Sequence, residues 1–81
     1  MFKEYEIKRL KDKYKKGTRV KLSFMEDSQA VPSGTKGTVN FVDDMGTIFV
    51  DWDNGSCLGL IYGEDSFEII YDKNIERNIN I

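Results

Sequence analysis

The side chains of this 81-residue chain that could carry chemistry are few: one cysteine, fourteen carboxylates, twelve lysines and arginines, and no histidine. Histidine is the commonest general base near neutral pH and the usual nitrogen ligand of a Cys/His zinc site, so both chemistries lack their ordinary residue. A nucleophilic thiol needs a neighbouring base or cation, and none accompanies Cys57 in the sequence. Asp51-x-Asp53-x-Gly55 starts like a calcium loop. Its fifth position is glycine where Asp or Asn is required, and Tyr62 stands where the loop needs its bidentate glutamate. The glycines at 34, 37, 46, 55, 59 and 63 never take the spacing of a phosphate-binding loop. The expectation is a non-enzymatic protein that uses no cofactor and no metal, and its candidate functional residues are those of binding surfaces.

Two such surfaces stand out by charge. Residues 1–21 carry nine Lys/Arg against Glu4, Glu6 and Asp12, whereas residues 22–81 carry three basic against eleven acidic residues. A basic arm on an acidic body can attach to nucleic acid, and it can equally be drawn to its own domain. Lys8, Arg9, Lys11, Lys15, Arg19 and Lys21, interleaved with Tyr5 and Tyr14, are the candidate nucleic-acid contacts. The acidic body would repel phosphates, which weighs against that partner. Glu26 and Asp27, in a long loop, could instead select a basic peptide beside an aromatic such as Tyr62. Asp43 and Asp44 read as solubilising turn residues.

One short helix and five strands must position these groups. Residues 2–14 lack Gly and Pro and place Ile7, Leu10 and Tyr14 on one helical stripe, with Glu4 and Lys8 as an i,i+4 pair. Lys15 and Lys16 suit a helix C-terminus, and Gly17 suits a left-handed cap. From Thr18 the period becomes two: Val20, Leu22 and Phe24 face one way, Arg19, Lys21 and Ser23 the other. Residues 25–34 form a loop, long for so small a domain. Strands are then expected over 36–42, 47–53, 56–61 and 67–70, with turns at Asp43-Asp44-Met45-Gly46, at Asn54-Gly55 and over 62–66. The tail over 71–81 is polar, lacks a period and is expected to be partly disordered.

Asn-Gly between alternating apolar runs is the strongest short-range mark of a two-residue hairpin loop. Such a loop pairs Asp53 with Ser56, Trp52 with Cys57, Val50 with Gly59, Phe49 with Leu60 and Ile48 with Ile61. If Val42 pairs with Thr47 across the preceding turn, Phe41 meets Ile48, Val39 meets Val50 and Gly37 meets Trp52. One face then holds Val39, Phe41, Ile48, Val50, Trp52 and Ile61, with Gly37 and Gly59 leaving room for the indole. Trp52 reads as the centre of the core rather than as a ligand platform. The opposite face gathers Phe49, Leu58 and Leu60, an apolar patch that needs a cover. Either the helix stripe or a partner protein would cover it, which makes these three residues candidate protein contacts together with Glu26, Asp27 and Tyr62.

These elements match a mainly β fold, a small five-stranded SH3-like barrel over 17–70 preceded by a basic N-terminal helix over 1–16 packed on it. The residues Gly17-Thr18-Arg19-Val20, Lys36-Gly37-Thr38-Val39, Ile48 to Ser56 and Phe67-Glu68-Ile69-Ile70 resemble the bacterial and phage family called domain of unknown function 4314. The resemblance implies a fold and an association with mobile elements, and no activity. The Gly-Thr-Val and Val-x-Trp-Asp-Asn-Gly elements are similar also to the SH3-like domains of Mind-bomb and HERC ubiquitin ligases, which implies a protein-binding module without assigning any contact residue. A protein partner is therefore expected first and nucleic acid second. No apolar stretch approaches the roughly 20 residues of a membrane span, and the charged start lacks a signal-peptide h-region, so a cytoplasmic setting without membrane partners is expected.

Overall fold

A computed structural model describes residues 2–26 and 30–71 of the chain. The stripe of Ile7, Leu10 and Tyr14 forms as expected on a helix, α1, over Glu4–Lys13. Its start is fixed by the Glu6 carboxylate, which accepts the Lys3 N–H at 2.9 Å and so satisfies an amide that the helix cannot. Gly17 is not the helix cap. Tyr14 closes the last turn through its N–H to the Leu10 carbonyl, while Gly17 lies beyond it at φ +95° and donates to Val39.

The strands are β1 (Arg19–Phe24), β2 (Lys36–Val42), β3 (Thr47–Trp52), β4 (Gly59–Ile61) and β5 (Ser66–Ile69). They form one antiparallel sheet in the order β4-β3-β2-β1-β5, so the protein is mainly β with one short helix. Among the described residues no helix is long and apolar enough to cross a membrane. The core joins Val20 and Leu22 of β1, Val39 and Val42 of β2, Ile48, Val50 and Trp52 of β3, and Leu60 of β4. Met25 and Val31, at either end of the long loop, also enter it, as do Leu10 and Tyr14 of the helix. The helix therefore completes the main core rather than covering a second patch.

The hairpin register differs from the expected one by a single residue. Trp52, not Asp53, closes the Asn54-Gly55 turn: its carbonyl accepts from Gly55 and its N–H donates to Ser56. The loop thus has three residues, Asp53-Asn54-Gly55, with Gly55 at φ +94°, the geometry of a tight turn followed by a left-handed glycine bulge. Because side chains alternate along a strand, one added loop residue moves the whole of β4 to the other face. Ile48 now meets Leu60, Phe49 meets Gly59 and Thr47 meets Ile61. Leu60 is fully buried, and Leu58 packs against the core. Cys57, expected opposite Trp52, is exposed instead, with its Sγ 3.8 Å from the Asp51 carboxylate. Gly59 clears space for Thr47 and Phe49 rather than for the indole.

Asp43-Asp44-Met45-Gly46 repeats the same turn. Asp43 N–H bonds the Thr47 carbonyl, Gly46 is at φ +88°, and the Asp43 carboxylate accepts from Met45 and Thr47. The register expected from Gly37 to Val39 holds, with Gly37 facing Trp52 and Val39 facing Val50. A bulge then inserts Asn40, so Val42 reaches Ile48 in the core and Phe41 swings outward to face Phe49. A second bulge at Ser23 likewise turns Phe24 out to solvent, against the expected alternation. Bulges relocate a side chain without changing the residue pattern around it.

Gly55 gives a direct test of the turn. No atom lies within 4 Å of a Cβ placed there, so Gly55→Val would strain the backbone without a clash. We expect a loss of about 1–3 kcal/mol on chemical denaturation, with Gly55→Asn milder because Asn tolerates φ > 0 better. Equal stability of Gly55→Val and the parent would refute the turn.

Candidate functional site

Of the expected protein contacts, Glu26, Phe49 and Leu58 come together. They line a groove of about 400 Å³ between the end of β1, the outer side of β3 and the β4–β5 turn, with Met25, Thr47, Ile61, Glu64 and Asp65 completing it. Phe49 is half-buried and stacks on the half-exposed Phe41, ring centroids 4.8 Å apart and planes 16° from parallel. Gly59, directly across the ladder, keeps the groove open, since a Cβ there would sit 2.6 Å from Thr47 Cγ2. The Asp65 carboxylate accepts the Ile61 N–H at 2.8 Å and pins the turn that carries Glu64. Glu26 and Glu64 make no ion pair among the described residues. The groove is thus apolar along its floor and acidic at its rim, with no cation among the described residues that line it.

The other three candidates fall elsewhere. Leu60 is sealed in the core and cannot touch a partner. Tyr62 lies on the helix side, its ring 6.3 Å from Tyr14 and 6.5 Å from Phe67. Asp27 and the tail over 72–81 lie outside the described residues.

The basic arm is partly committed to its own domain. Lys11 pairs with Asp44 of the β2–β3 turn at 2.6 Å. Arg19 holds both oxygens of Asp53 at 2.8 Å and donates to Thr38 Oγ1 at 2.9 Å, tying β1 and β2 to the β3–β4 turn. Two of the six candidate nucleic-acid contacts therefore hold ion pairs within the domain, and Asp53 clamps Arg19. Lys8, Arg9 and Lys15 remain exposed, and Lys21 is half-buried on β1. Sequence reading passed over Lys13, whose ammonium lies 5.4 Å from the Tyr14 ring centre and 5.9 Å from that of Tyr62. The signal was present, because Tyr5, Arg9 and Lys13 recur every four residues and form a second helical stripe.

The family described as Domain of unknown function (DUF4314) matches residues 3–70. The chain belongs to that family. The match spans α1 through β5, so the helix and the sheet both lie within the family's unit. No curated protein matches the chain.

The ion pairs set a pH dependence. Hydrogen bonding to Lys11 holds the Asp44 carboxyl below its usual range, and hydrogen bonding to Arg19 does the same for Asp53. A carboxyl lowered on folding contributes stability above its unfolded pKa of about 4 and loses it as pH falls through the folded value. Melting temperature should therefore drop below about pH 4, and drop less in Asp53→Asn. A variant that follows the parent curve throughout would exclude the Arg19 clamp as a source of stability. Tyr14 shifts the opposite way: burial pushes its phenol up from its ordinary value.

Proposed function

We propose that the protein is a small SH3-like barrel that acts as a non-enzymatic protein-binding module in the cytoplasm, in a mobile-element or phage setting. A β1–β4 meander with β5 returning beside β1 is the strand order such barrels use, and the bulges at Ser23 and Asn40 supply the bending that closure requires. The ligand is an extended basic segment with an apolar anchor. One observation carries this reading: Phe49 and Leu58 share a groove with Glu26, Glu64 and Asp65 and, among the described residues, with no cation. The apolar floor takes the anchor, and the acidic rim favours Lys or Arg beside it and speeds encounter with a basic partner.

Selection from a random peptide display library on the full chain tests this. Enriched peptides should carry Lys or Arg flanking a large apolar residue. Phe49→Ala and the Glu26→Lys/Glu64→Lys pair should each weaken the selected peptides by roughly tenfold or more, the scale of one interface anchor or close charge pair. Peptides bound equally by all three proteins would place the ligand site elsewhere.

A further inference from the structure

Next to the β4–β5 turn that carries Glu64 of the acidic groove, the stripe of Tyr5, Arg9 and Lys13 runs along α1 and forms a separate cleft of about 370 Å³ with Phe2 and Tyr62. Three features make it unlike an ordinary solvated helix face. Tyr62 is braced from behind by Tyr14 and Phe67, yet it stays 43% exposed. Tyr5, at the other end of the cleft, is 60% exposed. Arg9 and Lys13 make no ion pair among the described residues, although Lys11 and Arg19 from the same basic segment do. The carboxylate in the lining, Glu6, is engaged with the Lys3 N–H at the start of the helix.

We propose that this cleft binds single-stranded nucleic acid, with Arg9 and Lys13 against phosphates and Tyr62 and Tyr5 as stacking surfaces for bases. Exposed rings beside cations that hold no ion pair among the described residues supply both terms of such binding: base stacking, which tolerates any sequence, and neutralised backbone charge. A duplex hides its base faces and would meet only the two cations. An acidic peptide would likewise satisfy the cations but leave the rings without planar partners. The acidic body limits the contact to a short stretch of strand, because phosphates beyond the cleft would meet carboxylates. The site shares no residue with the peptide groove, so either can fail without the other.

Fluorescence anisotropy of the full chain with labelled oligothymidine, oligouridine and a duplex of equal length tests the assignment. Single strands should bind more tightly than the duplex, with a log K against log salt slope of about −1.4, the value for two phosphates on a single strand. Arg9→Glu/Lys13→Glu should abolish the salt-dependent binding, and circular dichroism should show the same fold, since both side chains are exposed. Tyr62→Ala should weaken binding roughly tenfold while Tyr62→Phe retains it, as stacking requires. Lys15→Glu/Lys16→Glu, outside the cleft, should change little. The proposal is overturned if no oligonucleotide binds at low salt, if the Lys15/Lys16 variant loses as much as the Arg9/Lys13 variant, or if polyglutamate displaces the strand as well as unlabelled oligothymidine does.

Discussion

Trp52→Ala should destabilise the protein by about 3–5 kcal/mol, the range for removing a large buried aromatic. Its indole is 3% exposed and packs in the same cluster as Val20, Val39, Ile48 and Val50. It also donates from Nε1 to the Leu58 carbonyl at 3.0 Å, which ties the core to the segment leading into β4. Alanine removes both the volume and that bond. Domains of this size hold only about 5–15 kcal/mol in total, so the variant should be largely unfolded near its parent's melting temperature. Trp52→Phe separates the two contributions: it keeps most of the ring body and loses the hydrogen bond, for which about 0.5–1.5 kcal/mol is typical. Urea denaturation of the three proteins measures both steps. An alanine variant with the parent's midpoint would mean that the indole is a surface contact.

The absence of a side chain at Gly37 is what admits the indole. A Cβ there would lie 2.8 Å from Trp52 Cε3 and 2.5 Å from Val50 Cγ1. This pairing was legible in the sequence because turn and alternation agreed over Gly37 to Val39. Beyond Val39 they did not. Asn40 and Ser23 are ordinary strand residues, and nothing in their type marks the bulges that turn Phe41 and Phe24 outward. The Asn-Gly signal located its turn correctly but did not count the loop, because a two-residue loop and a three-residue loop ending in glycine place the same glycine at φ > 0. That one-residue ambiguity decided the fate of Cys57, Leu58, Leu60 and Ile61 together.

The candidate surfaces were legible to the extent that they depended on composition rather than register. An acidic body and a basic first segment could be read from residue counts, and both survive as the rim of the groove and the stripe of the helix. Which cations are spent could not, because the partners of Lys11 and Arg19 lie more than thirty residues away in turns. Phe49 was singled out as part of a three-residue patch. It remains a contact candidate for a different reason, since a glycine faces it across the ladder and a loop carboxylate shares its groove.

Leu60→Ala and Phe49→Ala separate the two registers by experiment. In the observed register Leu60 is fully buried opposite Ile48, which is itself fully buried, so truncation should cost about 2–5 kcal/mol. Phe49 stacks on Phe41 on the outer side of the sheet, where the lost ring pair is worth only about 0.5–1.5 kcal/mol beyond its partial burial. A two-residue Asn54-Gly55 loop would instead put both side chains on the same outer face and make the two costs similar. Denaturation midpoints of the two variants therefore report the length of a loop neither residue belongs to. The same asymmetry makes Phe49 usable as a functional probe: a folded Phe49→Ala protein that fails to bind peptide has lost a contact, whereas a Leu60 variant that fails to bind has lost its core.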